Sequence, residues 1–168
     1  MTTFKERPLC SLAFVSEGNS YDENLSSLLS LIEKSPGNAV IVVPEVAVTN
    51  FDYARFEEAA AYAQVITEAF LGAAGDRIIA LTMIERGEDG RVYNVAKVFH
   101  RNRVIHRQAK AALFGLGGED DHFAPGDERA ITIFEADGLR IGLVFPNQPD
   151  RWRRAGGKRG WPVLPDCP

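Results

Sequence analysis

The residue best placed to do chemistry is Glu45, which follows the run Ala39–Val43 and Pro44 in AVIVVPE. An apolar, mostly β-branched run of this length reads as a strand buried on both faces. Proline has no amide donor and ends the ladder at once. A carboxylate at the carboxyl end of a buried strand sits where open α/β sheets place their sites. Desolvation at such a position suits a carboxyl to general-base work. Two further segments carry charge in unusual company: Lys110 in IHRQAKAALFG, and Glu119 with Asp120 and Asp121 in GGEDDHFAPGD. Taken singly, a loop lysine and an acidic run are ordinarily solvated. His100, His106 and His122 have no ligand spacing, which argues against a metal centre and leaves no cofactor indicated.

These residues need a scaffold, and 168 residues suffice for one domain with a real core. Hydrophobic content of 45% and a net charge of -4 describe an ordinary globular protein, with no reason to expect nucleic acid or a membrane as partner. No signal-peptide pattern opens the chain, and Cys10 and Cys167 lie far apart, which fits a reducing, cytoplasmic setting. Leu9–Val15 reads as a first strand. Ser20-Tyr21-Asp22-Glu23 reads as a capping box opening a helix that carries Leu25, Leu28, Leu29 and Ile32 on one face. Ser35-Pro36-Gly37 stops that helix, and Ala39–Val43 follows, so the chain begins β-α-β with two parallel strands. This arrangement places Ala39–Val43 centrally in a mixed sheet, beside Leu9–Val15.

A second helix is expected over Tyr53–Phe70, ended by Gly72 and Gly75. Arg77–Glu85, Val92–His100 and Val104–Gln108 read as strands joined by tight turns, and Ala109–Arg129 as a long loop of the kind that carries function. Ile131–Ala136, Asp137-Gly138 and Leu139–Phe145 read as a closing hairpin whose last strand leaves an apolar edge. Residues 147–168 break the pattern: no periodicity, five Lys/Arg against two Asp, and both tryptophans. The expected division is a folded part over 1–146 and a basic, Pro/Gly/Arg/Trp tail over 147–168.

Three segments, VVPEVAVTNF, YNVAKVFHRNRVIHRQAKAALFG and GGEDDHFAPGD, occur in the order and surroundings seen in the nitrilase, or carbon–nitrogen hydrolase, superfamily, which the chain resembles from Leu9 to about Val144. The resemblance implies a nitrilase-like α-β-β-α sandwich, incomplete here, with a mixed sheet and helices on one face. It implies that Glu45 is the general base, Lys110 the stabiliser of an oxyanion, and Glu119 a second acid that positions substrate or lysine, with Asp121 a competitor for that place. A thiol attacking an amide or nitrile carbon must lose a proton, and the charge formed on oxygen or nitrogen needs a fixed cation. The implied partner is therefore a small amide or nitrile, with association into homo-oligomers also expected. Asn94 is expected to hydrogen-bond in the sheet or in the site.

The family continues from a strand like Leu139–Phe145 directly into the catalytic cysteine. Here Pro146, Asn147 and Gln148 follow instead, and neither Cys10 nor Cys167 lies on the right element. A truncated or frameshifted copy of a longer hydrolase is expected from that break. The functional expectations are thus a non-peptide carbon–nitrogen hydrolase by lineage, inactive in this chain, or a non-catalytic module binding a small amide or a partner.

Overall fold

A computed structural model describes residues 6–14, 16 and 20–145. Its frame is a five-stranded sheet in the order β1-β2-β3-β4-β5: β1 (Leu9–Ser11), β2 (Val40–Val42), β3 (Ile78–Arg86), β4 (Val92–His100) and β5 (Arg103–Ala109). The first three strands are parallel, the last three antiparallel, so the sheet is mixed. The change of sense follows from the connections. β1 to β2 and β2 to β3 each carry a helical crossover, whereas β3, β4 and β5 are joined by tight turns. In the second turn both Arg101 (φ 47) and Asn102 (φ 58) lie in the left-handed region, as a primed two-residue hairpin turn requires.

The capping box forms. Ser20 Oγ accepts from the Glu23 amide at 3.2 Å, and Glu23 Oε2 accepts from the Ser20 amide at 2.8 Å. It starts α1 (Tyr21–Lys34), which buries Leu25, Leu28 and Ile32 against one face of the sheet. The expected second helix is broken in two, α2 (Phe56–Ala61) and α3 (Ala63–Ala74), preceded by a single 3-10 turn at Tyr53–Arg55. Tertiary contacts at Tyr62 account for the break: its ring packs 5.4 Å from that of Tyr21 and its hydroxyl donates to Asp22. Gly72 lies inside α3, and Gly75 (φ 50) alone ends it.

Two further expectations are corrected. The central strand is β3, not β2, because the antiparallel strands β4 and β5 extend the sheet beyond it. The last hairpin, β6 (Ile133–Ala136) and β7 (Leu139–Gly142), adds no edge to the main sheet. It is a separate two-stranded ribbon on the face away from the helices, where Phe134, Leu139 and Ile141 cover Ile78 and Val98. A charged clasp holds it there. Asp137, in its turn, binds Arg7, Arg101 (3.0 Å) and His100 (3.4 Å). Helices therefore cover one face and a hairpin part of the other. Val42 stays 45% exposed on the second face. Among the described residues no helix is long and apolar enough to cross a membrane. Pro146, Cys167 and the expected tail over 147–168 lie outside the described residues.

Candidate functional site

At the end of β2 the chain does not continue straight. Pro44 and Glu45 lead into a turn in which Val46 takes φ 47, a costly conformation for a β-branched residue. The Val46 amide donates to Thr82 Oγ1 at 2.7 Å, and the Val46 carbonyl accepts from the Asn50 amide at 2.7 Å. Val46 itself is buried. The turn is thus held from both sides, and Glu45 is fixed at its start.

Lys110 immediately follows β5. Its amide donates to the Asn94 carbonyl at 2.8 Å, and its carbonyl accepts from the Gly126 amide at 2.9 Å. Its backbone is thereby locked between β4 and the returning end of the loop. The side chain is 2% exposed, and Nζ reaches Glu45 Oε1 at 2.9 Å and Glu119 Oε1 at 2.8 Å. Glu119 opens the one-turn helix α4 (Glu119–His122), and its other oxygen accepts from the Phe114 amide at 2.8 Å. Asp120 and Asp121 on the same turn point to solvent, so the acid that meets the lysine is Glu119. Glu45, Lys110 and Glu119, 74 positions apart at the extremes (119 minus 45), converge as one chain of ion pairs.

Burying a lysine without partners would cost several kcal/mol, and two carboxylates at hydrogen-bond distance offset that cost. Two of the three Nζ donors are used by these oxygens, which leaves one for a further acceptor. The Phe145 ring lies 5.7 Å from Nζ. Beside Glu45 opens a cavity of about 300 Å³, walled by Val42, Ala80, Ala96, Leu143 and Phe145. The arrangement is an apolar pocket with a carboxylate acceptor, Glu45, in its lining and the Lys110 ammonium behind that carboxylate, suited to a small ligand that carries a donor.

Sequence reasoning left two participants unassigned. Asn94 donates through Nδ2 to Glu45 Oε1 at 2.8 Å. Its signal was an amide side chain within a strand, expected to hydrogen-bond in the sheet or in the site. Tyr53 packs its ring on His122 at 4.1 Å, nearly parallel. Burial pushes the Tyr53 phenol up, and the negative charges of Glu119 and Glu45 push it the same way. Cys10 pairs in register with Ile41, within the sheet, and packs into the helix-side core.

No family model matches the sequence, and no curated protein matches it. Solved structures match the fold. A carbon–nitrogen hydrolase from Helicobacter pylori G27 aligns with TM-score 0.70 and 18% identity over 79% of this chain and 48% of its own. An amidase from Nesterenkonia sp. AN1, in a glutamate-to-glutamine variant showing Michael addition of acrylamide at its active-site cysteine, gives TM-score 0.70 and 15% identity over 83% and 57%. A cysteine-to-alanine variant of that amidase in complex with butyramide gives 0.65 and 13% over 82% and 55%. The chain spans about half the length of these structures. The likeness shows a nitrilase-like fold.

Proposed function

We propose that this chain is a carbon–nitrogen hydrolase by lineage, acting on non-peptide bonds of the amide or nitrile type, in which Glu45 is the general base. Lys110 stabilises the developing oxyanion, and Glu119 is the second acid that holds the lysine. The observation that carries the reading is the Lys110 ammonium, buried and bound at 2.9 and 2.8 Å by two carboxylates, one of which, Glu45, lines an apolar cavity. A cation fixed in advance stabilises charge without reorganising as the charge forms. A carboxylate in the lining of that cavity can take the proton of a nucleophile or of water.

The nucleophile is the element this chain does not supply in the expected place. Phe145, whose ring faces the lysine, is followed by Pro146 rather than cysteine. The functional reading is therefore binding of small amides or nitriles without turnover. Titrating the protein with butyramide by ligand-observed NMR, beside an assay for released ammonia, tests both parts. Binding is expected, weakened by Glu45→Gln, with no ammonia above background. Absence of binding would end the reading of the pocket. Turnover that persists after both Cys10 and Cys167 are replaced would require a different nucleophile.

A further inference from the structure

Asn94 is a fully buried amide within the sheet, where valine would pack without a polar debt. Its Oδ1 is sealed from solvent and takes no hydrogen bond among the described residues. Such a residue destabilises a strand unless something else depends on it. Two of its other polar groups lead to the site. Nδ2 donates to Glu45 Oε1 at 2.8 Å, and the main-chain carbonyl accepts the Lys110 amide at 2.8 Å. One residue of β4 therefore holds the carboxylate through its side chain and the lysine through its backbone.

We propose that Asn94 is a positioning residue that decides which oxygen of Glu45 accepts the proton. The inference rests on the reading of Glu45 as a base. An ionised carboxylate only accepts, so it is the donor end of the Asn94 amide that faces it. Lys110 Nζ meets the same oxygen, Oε1, at 2.9 Å. Two donors thus converge on Oε1, and among the described residues none reaches Oε2. Oε2 is the working atom, kept free because Asn94 and Lys110 both hold its twin. Without Asn94, Lys110 alone holds the carboxylate, which can then turn either oxygen towards Nζ.

The experiment uses the full chain with 13C-labelled glutamate, the Glu45 carboxyl carbon being assigned by its loss in Glu45→Gln. Asn94→Leu, which matches the branched shape but has no donor, is expected to move the Glu45 signal and leave that of Glu119 in place. Asn94→Asp sets two carboxyls at hydrogen-bond distance. Such a pair cannot readily ionise twice, so it retains one proton to higher pH in a coupled step that disappears when Glu45→Gln is added. Butyramide affinity is expected to fall about tenfold in Asn94→Leu, the order expected for losing a hydrogen bond to a charged group. The same change should have no effect in a Glu45→Ala background. Additive losses, a Glu45 signal that stays put, or equal movement of the Glu119 signal would overturn the proposal and leave Asn94 a packing residue. If the unsubstituted protein does not bind butyramide, the functional reading fails, while the ligand-free carbon signals still decide the role of Asn94.

Discussion

Replacing Lys110 by methionine keeps the chain's length and apolar stem and removes only the ammonium. The expected loss can be worked from the surroundings. Glu119, 4% exposed, keeps the Phe114 amide but loses its counter-charge. Glu45, 23% exposed, keeps Asn94 and some solvent, so its share is smaller. Removing one partner of a buried pair typically costs about 3–5 kcal/mol, and the partial exposure of Glu45 places this case near the lower end, at about 3 kcal/mol. Two carboxylates left without their shared cation repel each other, so towards neutral pH the variant's folded state binds a proton more readily. The unfolded chain, with carboxyls titrating near about 4, holds no such proton there. The folded state therefore binds more protons, and the variant gains stability as pH falls from 7 towards 5. Urea denaturation of both proteins at several pH values measures this. A loss below about 1 kcal/mol at neutral pH, or a loss that does not shrink on acidification, would refute the view of Lys110 as a buried, charge-paired centre.

Other perturbations probe the supports of the site. A Cβ at Gly126 would lie 2.5 Å from the Ala109 carbonyl oxygen. Gly126→Ala is therefore expected to cost about 1–3 kcal/mol and to shift the Lys110 amide resonance, since the Gly126 amide binds the Lys110 carbonyl. Desolvation raises the Asp137 carboxyl, but His100, Arg101 and Arg7 together outweigh it and hold the group below the usual range. A lowered folded-state value stabilises above the ordinary carboxylate range and is lost as acid is added, so Asp137→Asn should flatten the acid limb of the stability curve, read by urea midpoints. Burial and the bond to Asp52 push Tyr21 up to about 12, and burial with Asp22 does the same for Tyr62. Phenolate absorbance should accordingly appear late in an alkaline titration, and Glu119→Gln should bring the Tyr53 component down.

Much of the scaffold was legible because its signals are local. Strand Val92–His100 was read to the residue, being bounded by glycine-rich and left-handed turns. The capping box at Ser20 needed only four residues of sequence to be visible. What escaped was decided at a distance. Whether β2 or β3 takes the centre depends on how many strands pair beyond it. The break at Tyr62 depends on Asp22, 40 residues away. Glu119 was expected from its place in the motif, but that Asp121 does not compete turns on which side of a one-turn helix faces Lys110, and a helix that short has no periodicity to read. Asn94 was visible as an oddity, but its partner Glu45 lies 49 residues earlier, and no spacing rule links them.

The clasp at Asp137 has a consequence in time. Arg7 contacts carbonyls of Asn38 and Asp76 and the carboxylate of Asp137, spanning 31, 69 and 130 residues of chain. Contacts of such separation close the longest loops and are made late in folding. On the ribosome, synthesis runs from the N-terminus and early segments begin to fold first. Arg7 is then made before Asp137 and waits for that partner until the hairpin turn has emerged. The β1–β5 frame can assemble while that guanidinium is only partly bound. Docking of β6–β7 completes the bond and covers part of the second face, so the hairpin is fastened through a guanidinium that also ties the carbonyls of Asn38 and Asp76.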